Sequence, residues 1–219
     1  MKKTLLIAAA ALMAGVISSQ AQVYSANIVG YVNVVFPAGQ YVGAANPLDL
    51  DTVDSVTNVF AGVPKGTAVL TWNGAAYTTL TKNAVTGAWP AGAATTLIPP
   101  GVGFLVKSPS NYTNTFVGNV IPNSPGVNNT PLPAGLYTFV GSVTPFSGVL
   151  TDAGTNTLNL GASLPKGSQV LVWNGSGYQT ATKNAVTGVW NTNLNIAVAE
   201  GMLVKPASAT NWVQYFQSN

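Results

Sequence analysis

Hydrophobic and polar positions in this chain alternate in short runs, and glycine, proline and asparagine separate one run from the next. From Val23 to Val35 the chain reads Val-Tyr-Ser-Ala-Asn-Ile-Val-Gly-Tyr-Val-Asn-Val-Val. Its β-branched and aromatic content without helical periodicity predicts a strand or a strand pair. Further on, Ala68 to Trp72 and Ala75 to Thr81 flank Asn73-Gly74, which predicts a hairpin with a two-residue type I′ turn. Asn174-Gly175 repeats the signal. Period-two geometry then places Leu70, Trp72, Ala75 and Tyr77 on one face, and Leu171, Trp173, Ser176 and Tyr178 on its counterpart. Gly103 to Lys107 and Gly201 to Lys205 each read as an apolar strand entered by a glycine turn. The pattern changes at Ser55 to Gly62, where Val56, Val59 and Phe60 predict one or two turns of helix. Asp51 or Asp54 can cap its start, and Gly62 can close it. The aligned segment Thr155 to Ser163 lacks that spacing, so the pattern gives a helix less support there.

The stretch Pro64 to Trp89 occurs again as Pro165 to Trp190, with eighteen of twenty-six positions identical. Flanking pieces match too. Phe36-Pro37-Ala38-Gly39 aligns with Leu132-Pro133-Ala134-Gly135, Val29-Gly30-Tyr31-Val32 with Val117-Gly118-Asn119-Val120, and Lys107 with Lys205. The changing offsets record insertions in the connecting loops. The expected organisation is a first unit over 22–115 and a second over 116–219. Turn signals every eight to twelve residues make the expected fold class all-β, as two tandem homologous units, each a small sandwich or barrel-like.

Met1-Lys2-Lys3, the apolar run Thr4 to Ile17, and the small residues Ser19 and Ala21 form the pattern of a cleaved signal peptide over 1–21. The run is too short for a spanning helix, and no later segment is a transmembrane helix candidate. Export to the periplasm, cell surface or extracellular space is expected. Without residues 1–21 the chain has six lysines, five acids and no arginine. Isolated lysines at near-zero net charge do not make a nucleic-acid surface. Cysteine and histidine are absent, which removes disulfides, the commonest general base and the usual zinc ligand. Only 6% of residues are charged while 47% are hydrophobic. That apolar content predicts a folded chain with a largely uncharged surface.

The start Val23-Tyr24-Ser25 through Val29-Gly30-Tyr31-Val32-Asn33 resembles that of a group of secreted tandem-repeat β-proteins abundant in Verrucomicrobia-type bacteria. The resemblance continues through the Pro-Ala-Gly turn, Asn46-Pro47-Leu48, the Trp-Asn-Gly hairpin with its following Tyr, and Gly101-Val102-Gly103-Phe104. It covers nearly the whole mature chain, implies secretion, and supplies no catalytic residues. The second copy departs from it at Ser142-Val143-Thr144-Pro145.

Trp72, Tyr77 and Trp89, with Trp173, Tyr178 and Trp190, are either core anchors or stacking platforms for sugar rings. Trp89 and Trp190 lie beside glycine loops and are the stronger ligand candidates. All six mature lysines fall in equivalent pairs: Lys65 with Lys166, Lys82 with Lys183, Lys107 with Lys205. They suit either a repeated anion or glycan contact, with Lys82 and Lys183 approaching the tryptophans, or solubility at sheet edges. Asp49, Asp51 and Asp54 are weak candidates for a cation site. Catalysis would need two carboxylates from Asp49, Asp51, Asp54, Asp152 and Glu200, or a Ser–Lys pair, and no spacing favours any of them. The sequence therefore favours a non-catalytic structural or adhesive protein without a cofactor. Its expected partners are polysaccharide, other envelope proteins or itself. Carbohydrate binding is the first alternative and a small outer-membrane barrel the second.

Overall fold

The computed structural model describes residues 29–50, 52–121 and 128–216. The expected signal segment 1–21, residues 23–28 of the expected first strand, and Asp51 lie outside the described residues.

Strand β1 (Val29–Phe36) alternates exposed and half-buried positions up to the buried Phe36. Its partner is distant in sequence. It runs antiparallel to β6 (Tyr112–Asn119), with Val29 opposite Asn119 and Phe36 opposite Tyr112. In the second copy β7 (Asn128–Leu132) pairs in the same way with β14 (Thr210–Gln214). Each copy is thus closed by a ribbon of its first and last strands. The expected boundary between residues 115 and 116 falls inside β6. Val117, Gly118 and Asn119, which resemble Val29-Gly30-Tyr31 in sequence, are the cross-strand partners of those residues.

Within the first ribbon's span, β2 (Tyr41–Ala45), β3 (Ala68–Trp72), β4 (Tyr77–Thr81) and β5 (Gly103–Lys107) form an antiparallel sheet of order β2-β5-β3-β4. In the second copy, β8 (Thr138–Val140), β10 (Gln169–Trp173), β11 (Tyr178–Thr182) and β13 (Met202–Lys205) repeat that order as β8-β13-β10-β11, and a two-residue ladder pairs β9 (Gly148–Val149) with β12 (Asn195–Ile196). The fold is all-β, as expected. Its sheets are open, so the barrel-like form does not describe it. Among the described residues no helix is long and apolar enough to cross a membrane.

Both hairpins form, with a different turn from the expected one. Trp72 pairs with Tyr77, not Ala75, and Trp173 pairs with Tyr178. The Asn73 side chain accepts the N–H groups of Ala75 and Ala76 at 3.0 and 2.8 Å, so the asparagine builds an Asx turn. Gly74 alone in the turn takes a positive φ, of 98°, whereas a type I′ turn needs two such residues. Because side chains alternate with period two, moving the partner by two positions keeps the tyrosine on the expected face.

The predicted helix is present at Val56–Val59, with Val56 and Val59 buried. Its cap is Ser55, whose hydroxyl accepts the Asn58 N–H at 3.4 Å; Asp54 turns inward instead. The second copy also has a short helix, Leu160–Ser163, despite lacking the spacing. Asn159 initiates it from a left-handed conformation with φ of 51°, one that asparagine tolerates better than most residues.

The sheets have two apolar faces. One face of the first sheet carries Val69, Leu80, Phe104 and Val106 into a core with Phe36, Phe60 and Phe116. Phe60 sits at its centre, with ring centroids of Phe36, Phe104 and Phe116 at 6.2, 5.4 and 6.1 Å. The second core contains Leu132, Leu160, Val170, Met202 and Trp212. The opposite faces of the two sheets share a third cluster. It joins Leu105, Leu70, Trp72, Tyr77 and Tyr41 to Leu203, Leu171, Trp173, Tyr178, Phe139 and Tyr137. Residues Gly103 to Val106 of β5 are buried because the strand has apolar neighbours on both sides, which explains its unbroken hydrophobic run.

Candidate functional site

The hairpin aromatics meet each other across this seam. The indole N–H of Trp72 donates to the carbonyl of Tyr137 at 2.8 Å, and that of Trp173 donates to the carbonyl of Tyr41 at 2.8 Å. Tyr41 and Tyr137 follow the equivalent Pro-Ala-Gly turns, so the two bonds are the same bond with the halves exchanged. The hydroxyls of Tyr77 and Tyr178 lie 2.8 Å apart, and burial, with Tyr178 adjacent, raises the Tyr77 pKa. Each tyrosine packs edge-on against its own hairpin tryptophan, at 4.9 Å in the first copy and 5.1 Å in the second. Backbone bonds follow the same exchange: Ala45 N–H to the Ala199 carbonyl at 2.9 Å, and Gly141 N–H to the Gly101 carbonyl at 3.1 Å.

Two equivalent glycines allow this approach. A Cβ on Gly201 would stand 2.3 Å from the Ala44 carbonyl oxygen, and one on Gly103 would stand 2.6 Å from the Phe139 ring. Side chains at these positions would hold the halves apart. The entry turns just before them differ, however. Gly101 takes φ of 91°, whereas the second copy places Ala199 in the left-handed region at 60°, where a Cβ is strained.

The paired lysines also have equivalent partners. Lys82 donates to the carbonyls of Ala61 and Val63 at 2.8 and 2.9 Å, and Lys183 to those of Gly161 and Leu164 at 2.8 and 2.7 Å. Each ammonium thus satisfies carbonyls within or just past a short helix, where a cation can bond the free carbonyls. Burial, and then Lys166 nearby, lowers the Lys183 pKa. Lys65 and Lys166 hold the carbonyls of Val85 and Val186, both at 2.8 Å, which fixes the polar loop after each hairpin. Lys107 and Lys205 lie 5.0 and 5.2 Å from the ring centroids of Tyr41 and Tyr137.

Trp89 and Trp190 are half-buried against the two cores. The ammonium groups of Lys82 and Lys183 lie 6.0 and 5.7 Å from their ring centroids, the cation–π approach expected from the sequence. A shallow hollow of about 480 Å3 is lined by Thr81, Lys82, Asn83, Thr86, Trp89 and Pro90, among others. Of the named ligand candidates, Lys82 and Trp89 share this hollow, and Lys183 and Trp190 stand together in the second copy. Tyr77 and Tyr178 are in the seam instead. The Trp89 Nε1 is buried without a hydrogen-bond partner among the described residues.

Among the described residues no group of three metal-ligating side chains occurs; of the weak cation candidates, Asp49 and Asp54 are neighbours and Asp51 lies outside the described residues. The Asp54 carboxylate accepts from the Asn46 amide at 3.1 Å and from the Leu50 N–H at 3.2 Å. Burial, with Asp49 adding to it, pushes the Asp54 pKa up to about 6. Asp152 and Glu200 line one open hollow with Ser147 and Asn195, each tied to a local turn. Asp152 accepts from Val149 N–H at 2.9 Å and Glu200 from Ala197 N–H at 2.7 Å. Burial raises the Glu200 pKa, and the Ala197 bond partly offsets the rise.

Sequence reasoning missed Trp212, which is fully buried and donates to the Leu158 carbonyl at 2.6 Å. No repeat match pointed to it, because the first copy has Asn114 opposite in the alignment. Comparison with known protein families, with curated proteins and with solved structures found no match.

Proposed function

We propose that this chain is a non-catalytic structural or adhesive protein of the cell surface or extracellular matrix, exported by its amino-terminal signal segment. One observation carries the reading. The repeated tryptophans and tyrosines of the hairpins and the repeated lysines are engaged in the same internal contacts in both copies. The outer positions of the hairpins and loops carry mainly threonine, asparagine and small residues, with Val85, Val186 and Val189 exposed among them. Such a surface suits broad contact with a matrix rather than turnover of a substrate.

A glycan-binding reading is supported by the hollow lined by Trp89, Lys82, Thr81, Asn83 and Thr86. Co-sedimentation of the mature protein with insoluble polysaccharides, with tryptophan fluorescence recorded on soluble fragments, separates the two. The structural reading expects no saturable binding. It also expects Trp89→Ala to cost about 3–5 kcal/mol of stability, as for a core tryptophan. Saturable binding that Trp89→Ala abolishes at unchanged melting temperature would replace it with the glycan reading.

A further inference from the structure

We infer that the seam between the halves is exchangeable between molecules. The aromatic face of one chain's first half seats on the second half of another chain, giving swapped dimers and open strings of molecules. The seam's polar contacts come in pairs with donor and acceptor halves exchanged: Trp72 to Tyr137 against Trp173 to Tyr41, and Ala45 to Ala199 against Gly141 to Gly101. Tyr77 and Tyr178, equivalent residues, bond to each other. This is the self-complementary geometry of a two-fold interface between identical subunits, held here within one chain.

Each half is complete without the seam. The ladders of its four-stranded sheet and its ribbon pair within the half, the isolated bridges Ala44 to Glu200 and Val102 to Val140 cross between the halves, and its core is a cluster separate from the seam. Phe216, which packs against the first core, is the carboxyl-terminal side chain that must part with the seam. Separation therefore exposes aromatics but leaves every ladder within a sheet or ribbon intact.

The contacts made by a swapped pair are those of the closed monomer. What favours the monomer is the effective concentration of one half near the other, millimolar for short connections. Crowding of the exported protein toward that concentration shifts the balance to swapped species. The inference holds whether or not the surface binds glycan, so its failure is separable from that of the functional reading.

The test uses the full mature chain, whose lack of cysteine allows unique labelling. Val85 and Val186 are each 82% exposed in loop turns, and only their backbone carbonyls serve the lysines. A donor-labelled Val85→Cys pool and an acceptor-labelled Val186→Cys pool are mixed, concentrated and warmed to just below melting, then cooled and diluted. A doubly labelled V85C/V186C chain, kept dilute, supplies the reference efficiency for an intact seam. Exchange predicts energy transfer approaching about half the reference, since half of all seated partners carry no acceptor, together with a doubled mass by light scattering. No transfer, or transfer in assemblies whose per-pair efficiency differs from the reference, overturns the proposal: the first shows that the seam stays closed, the second that chains associate elsewhere.

Discussion

The two halves have the same sheet order, hairpins and lysine contacts, yet different cores. The first is centred on Phe60, ringed by Phe36, Phe104 and Phe116; the second on Trp212, Met202 and leucines. The buried turn after the first strand of each sheet differs as well. In the first half Asn46 donates to Asp54 and accepts from Leu48 N–H at 3.2 Å. In the second, Gln214 donates to Ser142 at 2.7 Å and accepts from Val143 N–H at 2.9 Å, while Ser142 donates to the Thr144 carbonyl. A core side chain touches mainly its own half, so a core can be refilled by any set of adequate total volume. A seam residue touches the other copy, as Trp72 does Tyr137 and Tyr77 does Tyr178, so a change in one copy disturbs a contact made by the other. The difference between seam and core is one of who the neighbours are.

The largest effect is expected where each core is most singular. Phe60→Ala and Trp212→Ala should each cost about 3–5 kcal/mol in denaturant unfolding, although one residue is absent from the repeat match and the other lies outside its best-matched stretch. A loss below about 1 kcal/mol for either would mean that its half is held by the seam rather than by its core.

Asp54 gives the first half a pH response at a position where the second copy has no acid. Its folded pKa of about 6 exceeds the ordinary value of 3.8, so folding favours the protonated form. That contribution is complete below about pH 4 and is lost as pH rises through 6. Asp54→Asn keeps an acceptor for Asn46 and Leu50. It should raise stability at pH 8, by on the order of 2 kcal/mol, and leave stability at pH 3.5 nearly unchanged. Equal effects at both pH values in melting scans would remove the carboxylate from the explanation.

The smallest effect concerns the entry turns. Ala199→Gly, which gives the second copy the glycine of the first, should relieve left-handed strain and stabilise the protein by up to about 1 kcal/mol. A destabilisation would show that the methyl group, which is buried, matters more for packing than the strain it brings.

The hairpin face was legible because alternation and the repeat agreed, and it survived an incorrect turn because a shift of two positions does not change the side of a strand. The short helix at Val56–Val59 was legible from its spacing, while its cap was not, since Asp54 and Ser55 are both good caps and only burial decides between them. Pairing of β1 with β6 could not be read, because strand partners distant in sequence leave no local pattern. The role of the lysines was hidden for a related reason. Their acceptors are backbone carbonyls, which every sequence supplies. The seam itself had a signal, since Tyr41 and Tyr137 follow matched Pro-Ala-Gly turns and precede matched strands, but the meeting of a repeat with itself is a tertiary fact.

The repeated hairpin aromatics join the two halves through reciprocal bonds. Hydrogen exchange of the indole N–H groups, followed by nuclear magnetic resonance, tests it most directly. The Trp72 and Trp173 indole hydrogens should both be strongly protected and exchange at closely similar rates, because one opening of the seam releases both. Rapid exchange of both would contradict the seam, and protection of one alone would contradict its reciprocity.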